Sequence, residues 1–185
     1  MQVLEVEQKY AASEELDLTK RLLGFKAVLV GKHEHEDTYY AHPSRDFRLT
    51  GEALRVRKID GAPLITYKGP KLSSEIKVRK ELEWGLSPGD EDGSKTMEML
   101  DLLGFRVIAT VRKTRVEFRA SDAETSVVID QVDGLGCFVE IERLISDQSE
   151  LTAAREAIEK LGIALGLKKK VNQSYLGMLL RLSAR

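Results

Sequence analysis

Apolar and polar residues alternate along most of the first three quarters of the chain, as they do in half-buried β-strands. The alternating segments are rich in Val, Ile, Thr or aromatic residues and are bounded by Gly, Pro, Asp or Ser. Asp60-Gly61 and Asp133-Gly134 lie between such segments and predict hairpin turns. The pattern predicts strands at Val3–Tyr10, Ala27–His42, Ala53–Ile59, Leu64–Lys68, Val78–Gly85, Arg106–Phe118, Ser126–Val132 and Phe138–Leu144.

Helical periodicity is confined to four stretches of the sequence. Three of them follow a serine or aspartate that can cap a first turn, and Asp147 with Glu150 forms a capping-box pattern. We expect helices from Ser13 to Gly24, from Ser94 to Gly104, after Asp147 and from Asn172 to Leu182, which places the C-terminal helices at about 148–182. A chain of 185 residues with these elements is predicted to form one α+β domain spanning residues 1–185.

The polar positions of the predicted strands carry full charges of both signs. Arg55 and Arg57 share one face of their strand, opposite Val56, and Glu140 and Glu142 share a face of a later strand. Two architectures satisfy this pattern: an antiparallel sheet whose charged face meets bulk water, or an antiparallel eight-stranded closed β-barrel with the charges inside. Ser, Thr and Gln would fill a solvent face equally well, so the uniform supply of Arg, Lys and Glu favours the barrel. Dry burial of ions is costly, so such an interior must be hydrated and must bind a ligand.

A ligand that suits both signs of charge contains phosphate and a divalent cation. Arg and Lys bind phosphate oxygens through charge-assisted hydrogen bonds. Carboxylates would repel phosphate on their own, but they bind Mg²⁺ or Mn²⁺, which bridge to it. The charged face therefore predicts a nucleoside or inorganic polyphosphate as the binding partner.

Composition excludes several other classes of partner. The chain has 29 Lys and Arg against 30 Asp and Glu, so no net positive charge predicts binding to a nucleic acid polymer. Cys137 is the single cysteine, which excludes a disulfide within the chain and favours a reducing compartment. No apolar run approaches bilayer length, so we expect no membrane association and a cytoplasmic location. The sequence leaves the oligomeric state open, with a homodimer as one option.

The amino-terminal sequence Glu5-x-Glu7-x-Lys9 places two carboxylates and a lysine on one face of the first strand. It resembles the ExExK signature of the CYTH superfamily, also called triphosphate tunnel metalloenzymes, which includes class IV adenylyl cyclases, thiamine triphosphatases and inorganic triphosphatases. Further segments extend the resemblance in order over nearly the whole chain: Asp37-Thr-Tyr-Tyr40, Ala53-Leu-Arg-Val-Arg57, Ile65-Thr-Tyr-Lys-Gly-Pro70, Arg79-Lys-Glu-Leu-Glu83, Val111-Arg-Lys-Thr-Arg115, Ile129-Asp130 and Val139-Glu-Ile-Glu142.

The resemblance implies an eight-stranded antiparallel tunnel that requires Mg²⁺ or Mn²⁺, and it assigns roles to the charged residues. Triphosphate contacts are implied for Lys9, Arg55, Arg57, Lys68, Arg79, Lys113 and Arg115. Metal ligands are implied at Glu5, Glu7, Glu140 and Glu142, with Glu81, Glu83 and Asp130 as further candidates. The catalytic set is then Glu5, Glu7, Lys9, Glu140, Glu142 and Asp130.

Three functions remain open at this point. A class IV adenylyl cyclase would convert ATP to cyclic AMP and pyrophosphate, whereas an inorganic or thiamine triphosphatase would hydrolyse a terminal phosphate. A non-catalytic polyphosphate-binding module would keep the cations but would not need the metal carboxylates. The segment Asp37-Thr-Tyr-Tyr40 and the Ser174-Tyr175 helix resemble the cyclases more closely, so the cyclase is favoured.

Two other groups of residues suggest weaker alternatives. His33, His35 and Asp37 alternate along one strand face in the way a zinc site requires, but interspersed glutamates favour a solvated strand end. The run Lys168-Lys169-Lys170 is interpreted as a solvated turn between helices that can attract an anion.

Overall fold

The computed structural model describes residues 4–12, 15–70, 81–122 and 124–183, without the side chains of residues 4, 5, 15 and 16. The strands are β1 Leu4–Ala12, β2 Val28–Ala41, β3 Ala53–Ile59, β4 Ala62–Lys68, β5 Glu81–Gly85, β6 Arg106–Arg119, β7 Thr125–Val132, β8 Gly136–Ile145 and β9 Lys169–Val171. The helices are α1 Glu15–Gly24, α2 Phe47–Thr50, α3 Ser94–Leu102, α4 Leu151–Ala164 and α5 Tyr175–Ser183, and a 3₁₀ turn, Gln148–Glu150, precedes α4.

An antiparallel sheet with flanking helices confirms the predicted α+β class, but the sheet is not a closed eight-stranded barrel. Its nine strands hydrogen-bond in the order β5-β4-β3-β2-β6-β7-β8-β1-β9, and within the described ranges no pairing joins β5 to β9. The extra strand β9 explains the open order. It pairs with β1 along the edge that β8 leaves free, so both edges of β1 are occupied and β1 cannot pair with β5. The predicted closed barrel is therefore wrong.

The chain divides into two compact units. The first unit contains Met1–Lys32 and Thr114–Gln173, and the second contains His33–Lys113 and Ser174–Arg185. The long strands β2 and β6 each contribute residues to both units. The assignment of residues 1–185 to a single domain stays a prediction.

In the first unit, one face of the sheet is apolar and is covered by a helix. Tyr10, Val139 and Ile129 are neighbours across β1, β8 and β7 and are almost completely buried. Helix α4 packs against β8 and β1, and its Ile158 is buried as well. Because side chains alternate along a strand, the neighbouring residues of β1 and β8 are directed to the other face of the sheet.

The second unit repeats this division with different elements. Its core contains Tyr40, Leu54, Val56 and Ile65 from β2, β3 and β4, together with Leu100 from α3. The register of β2, β3 and β4 places the intervening charged residues on the opposite face.

The sequence signals for turns and helix starts are confirmed in part, and helix α5 begins at Tyr175 rather than at Asn172. Asp60 and Gly61 both have positive φ and join β3 to β4, as a tight hairpin requires. Asp147 and Glu150 form the predicted capping box. Helix α3 begins at Ser94 with Gly93 in the N-cap position, so Ser94 is not its cap. The predicted cap Ser13 lies outside the described residues. None of the described helices is long and apolar enough to cross a membrane.

Candidate functional site

The charged face of the first unit contains a chain of four ionic side chains, which we call the Glu140 cluster: Lys9, Glu140, Arg115 and Asp130. The register of β1 and β8 sets Lys9 directly opposite Glu140, and Lys9 Nζ lies 3.1 Å from Glu140 Oε1. Arg115 donates from one guanidinium nitrogen to Glu140 Oε2 at 2.7 Å. It also donates to both oxygens of Asp130, at 2.7 and 2.6 Å.

The Glu140 cluster satisfies the physical conditions for keeping ions inside a protein. Asp130 is completely buried and Lys9 is 6 % exposed. Two positive and two negative groups alternate at hydrogen-bonding distance, so no member of the cluster is left without an opposite charge. The bidentate contact with Asp130 fixes the plane of the Arg115 guanidinium. Glu140 and Asp130 therefore orient Lys9 and Arg115 in this structure, and their assignment as metal ligands stays a prediction.

Glu7 and Glu142 offer a better fit to a divalent cation. They lie directly opposite each other on β1 and β8, on the same face as Lys9 and Glu140, and both are partly buried. Like charges in directly opposed positions destabilise a sheet, and a cation between them removes that repulsion. Mg²⁺ is commonly held by one or two carboxylates together with substrate phosphates, which this pair can provide.

The remaining predicted metal ligands do not extend this pair into a larger cluster. In the described part of the chain, no group of three or more His, Cys, Asp or Glu side chains is arranged to bind a metal. The side chain of Glu5 lies outside the described residues. Glu81 pairs with Lys68 at 2.9 Å, and Glu83 accepts a hydrogen bond from Thr66 at 2.7 Å.

The charged face of the second unit is organised around one buried carboxylate, and we call this group the Asp37 cluster: Asp37, Arg55 and Arg57. Arg57, directly across from Asp37, donates from Nε to Oδ1 at 2.5 Å and from a terminal nitrogen to Oδ2 at 2.7 Å. Arg55 donates to the same Oδ2 at 3.3 Å. Burial alone would raise the pKa of Asp37, but the hydrogen bonds from Arg57 and the charges of Arg55, Arg57 and Lys113 outweigh burial and lower it.

Arg55 is itself fixed by three further side chains. It donates to the hydroxyls of Tyr39 and Thr66 at 3.3 and 3.4 Å, and it lies 3.9 Å from the carboxylate of Glu83. Although Arg55 is 8 % exposed, its guanidinium is surrounded by acceptors, which is how a protein can keep an arginine inside. Predicted Arg79 lies outside the described residues.

Lys113 is held by an aromatic ring from the C-terminal helix. Its Nζ lies 5.1 Å from the centroid of the Tyr175 ring at the start of α5, and both residues are buried. A lysine over an aromatic face gains a cation–π attraction that partly compensates for lost hydration. Lys113 and Tyr175 both belong to the second unit, together with the Asp37 cluster, whereas Arg115 belongs to the first.

Sequence reasoning missed the partners that orient the cations. Thr66 and Tyr175 receive no site role from the sequence, and Asp37 only the weaker zinc role, yet each contacts a predicted phosphate-binding residue. The sequence contained one signal for Asp37. Asp37 and Tyr39 share one face of β2, and this face becomes continuous with the face of β3 that carries Arg55 and Arg57. This signal indicates a contact only after β2 is paired with β3 in the correct register.

The zinc alternative at the start of β2 is not supported. His33 Nδ1 lies 2.6 Å from Asp60, His35 is buried, and both oxygens of Asp37 accept hydrogen bonds from arginines. Among the described side chains, these three residues are not arranged as a group that could hold a metal ion.

Comparison with known proteins identifies the family. The model of the CYTH domain matches residues 3–175, so the chain belongs to the CYTH family. A Methanocaldococcus jannaschii protein named "Putative adenylate cyclase" is 38% identical over 178 residues, covering 94% of this chain and 97% of that protein. The adenylate cyclase CyaB of Aeromonas hydrophila is 26% identical over 166 residues, covering 88% of this chain and 81% of that protein.

A solved structure supports the same fold. The PH1819 protein of Pyrococcus horikoshii is 38% identical and superposes with a TM-score of 0.83, covering 96% of this chain and 99% of that one. The similarity extends over nearly the whole of both chains, so it includes the strands that carry the Glu140 and Asp37 clusters.

Proposed function

We propose that the protein is a divalent-metal-dependent enzyme acting on a triphosphate, and specifically a class IV-type adenylyl cyclase that converts ATP to cyclic AMP and pyrophosphate. The observation that carries the proposal is the set of buried cations held in fixed orientations on the charged face of each unit. A protein has little structural reason to bury Lys9, Arg55 and Lys113, whereas an anionic substrate requires such donors. The names of the two relatives favour the cyclase within this class of reactions.

In the proposed reaction, the ribose 3′ oxygen of ATP forms a bond to the α-phosphorus and the hydroxyl proton is released. The bond from the α-phosphorus to the bridging oxygen breaks, and pyrophosphate leaves with the electron pair. Negative charge grows on the phosphate oxygens in the transition state. Arg57 and Arg115 are each a preset donor on the charged face of their own unit, and preorganised donors of this kind stabilise such charge without reorienting during the reaction.

The metal is assigned to the pair Glu7 and Glu142, with Glu140 as a neighbouring carboxylate on the same face. When bound, Mg²⁺ or Mn²⁺ would supply positive charge that polarises a phosphate oxygen. The two glutamates would hold the cation together with phosphate groups of the substrate. Lys9 pairs with Glu140 in the absence of substrate, and in this proposal it binds phosphate when the substrate is present.

Product identification separates this proposal from its alternatives. The purified protein is incubated with ATP, tripolyphosphate or thiamine triphosphate in the presence of Mg²⁺ or Mn²⁺, and the products are analysed by chromatography and mass spectrometry. Cyclic AMP with pyrophosphate is the expected result. Orthophosphate would instead identify an inorganic or thiamine triphosphatase, and binding without any product would indicate a non-catalytic polyphosphate-binding module.

Neighbouring residues of β3 provide a matched control for this experiment. Arg57 lies on the charged face and Lys58 on the other face of the same strand. Arg57→Ala should lower kcat/KM by about 100-fold, the scale expected for losing a preorganised donor to the transition state. Lys58→Ala removes the same charge from the adjacent position and should change kcat/KM less than about twofold. Equal activities of the two variants would point to a contaminating enzyme.

A further inference from the structure

The side chain of Asp37 has no role in the proposed reaction, although it is buried and accepts three hydrogen bonds from arginine side chains. It is 2 % exposed, and both of its oxygens accept hydrogen bonds from guanidinium groups. Arg57 engages it through two nitrogens and Arg55 through one. A third cation, Lys113, is close enough to contribute to the lowered pKa of the Asp37 carboxyl.

Three direct roles for Asp37 conflict with this environment. A carboxylate repels phosphate, so Asp37 does not bind the substrate. Its oxygens are directed at arginines, so they are not presented to a metal ion. A general base must accept a proton near neutral pH, whereas three neighbouring cations stabilise the ionised form of Asp37 and make it a poor base.

The geometry instead explains how two arginines keep one orientation. Free arginine side chains occupy many rotamers, and ordering them when a ligand binds weakens binding or slows the reaction. Asp37 removes this freedom in advance, because the fork of Arg57 fits a carboxylate in only one plane. Tyr39 and Thr66 accept the remaining hydrogen bonds of Arg55.

We propose that Asp37 is a positioning residue that holds Arg55 and Arg57 in the orientation needed for the transition state of phosphoryl transfer. This role rests on the proposed function of the same charged face. Asp37 acts through the arginines and does not touch the substrate. Removing its negative charge makes the face more positive. If Asp37 acted only through its charge, turnover would rise, whereas loss of a positioning residue lowers turnover.

The main test compares Asp37→Asn with Glu36→Gln. Glu36 is the preceding residue of β2 and pairs with Arg112 at 2.9 Å, but this pair is partly exposed and lies on the other face. We expect Asp37→Asn to lower kcat at least tenfold while changing KM less than about threefold, and Glu36→Gln to leave both within about twofold. A kcat of Asp37→Asn at or above the wild-type value would overturn the proposal.

Asp37→Glu provides a second test if the asparagine variant does not fold. It keeps the buried charge but shifts the carboxylate by one methylene group, so the fork of Arg57 can no longer be held in the same place. We expect its kcat to fall as well, in a protein that still unfolds cooperatively on heating. Wild-type kcat in this variant would show that charge alone is sufficient and would refute positioning.

A measurement on the unliganded protein separates failure of this inference from failure of the proposed function. Nitrogen-15 NMR resolves the Nε–H groups of arginines, and Arg48 is an internal reference. Arg48 makes the same bidentate contact with Asp46, at 3.0 and 2.7 Å, but at the surface. We expect slow hydrogen exchange at Arg57 Nε in the wild type, fast exchange at Arg48, and fast exchange at Arg57 in Asp37→Asn.

Hydrogen exchange at Arg57 Nε tests positioning, whereas turnover tests the proposed function. Fast exchange at Arg57 in the wild type would refute positioning whatever the protein catalyses. Slow exchange that Asp37→Asn abolishes, in a protein without turnover on any triphosphate, would uphold the fixed arginines and reject the cyclase proposal.

Discussion

At the scale of single residues, Glu140 is the carboxylate that two cations of the first unit share. Lys9 and Arg115 both lie within 3.1 Å of its oxygens. Glu140→Gln removes the charge and keeps the size, so both cations lose a partner and the orientation of Arg115 is weakened. We expect turnover to fall at least about 100-fold. The free energy of unfolding should fall by only about 1–3 kcal/mol, because Asp130 still binds Arg115.

The matched control for Glu140 is an exposed glutamate in the same unit. Glu159 pairs with Lys170 at 2.8 Å on the surface, where an ion pair contributes about 0–1 kcal/mol. Glu159→Gln should retain full turnover and nearly full stability in the same kinetic and urea-unfolding assays. If Glu140→Gln also turned over substrate at the wild-type rate, Glu140 would have no part in the proposed mechanism.

At the scale of elements, the contact of α4 with β1 depends on a glycine. A Cβ atom at Gly162 would lie 2.7 Å from the hydroxyl oxygen of Tyr10, whose ring is buried in the core. Overpacking of this kind costs about 1–3 kcal/mol and exceeds the gain in helix propensity. We therefore expect Gly162→Ala to lower the free energy of unfolding by about 1–2 kcal/mol in urea titrations.

Two further variants test the origin of that loss. Gly24→Ala, at the end of α1, places its Cβ where no atom lies within 4 Å, and its stability should change by less than about 0.5 kcal/mol. Tyr10→Phe removes the clashing oxygen and should partly restore Gly162→Ala. Equal stability of Gly162→Ala and the wild type would show that α4 can shift away from β1 without cost.

Strand β9 gives three consecutive lysines three different environments. Lys169 lies opposite Ala11, on the face that carries Lys9, whereas Lys170 lies opposite Tyr10 and pairs with Glu159. Lys168 precedes the strand. Each single substitution to alanine removes one charge, but only Lys169→Ala removes it from the charged face. We expect KM for the triphosphate to rise about three- to fivefold in Lys169→Ala and less than twofold in the other two. Equal increases in KM in all three variants would indicate that the lysines attract the triphosphate only through their combined charge.

The elements also show what sequence patterns can predict and where they stop. Period-two alternation located the eight longer strands to within a few residues, because their apolar residues alternate with charged ones, even in β5, whose residues are all exposed. It missed Lys169–Val171, since three residues are too few to show a period and two of them are lysines. The closed barrel was inferred from the charged strand faces and the family resemblance, but the number of strands and the pairing of their edges are not encoded in the alternation of any single strand.

For the candidate site, the sequence predicted which strand face carries the charged residues but not the contacts that they make across strands. Alternation identified which face Arg55, Arg57 and Glu140 occupy, and the family resemblance added their implied roles. Neither indicated that Asp37 and Asp130 would each bind an arginine through two oxygens, since that requires the register between strands. Acidic residues that orient cations therefore look, in the sequence, like acidic residues that bind metal.

At the scale of the whole molecule, affinity for a polyphosphate cannot come from overall charge. The formal net charge is −1, so a polyanion is not attracted from a distance. Under the proposed function, binding depends on local donors such as Lys9, and on a cation that would neutralise the carboxylates of Glu7 and Glu142 on the same face. Metal and phosphate should therefore bind cooperatively, because each removes a repulsion that the other would meet.

Thermal unfolding measures this cooperativity directly. Glu7 and Glu142 alone provide too few oxygens to hold Mg²⁺ tightly, whereas phosphate oxygens complete its coordination. We expect Mg²⁺ alone to raise Tm by less than about 2 °C, and Mg²⁺ with tripolyphosphate at about 100 times its Kd to raise Tm by roughly 5–10 °C. Glu142→Gln should reduce the joint effect, whereas Glu159→Gln should not. A full rise in Tm with Mg²⁺ alone would reveal a metal site that does not depend on phosphate, and would contradict the assignment to this pair.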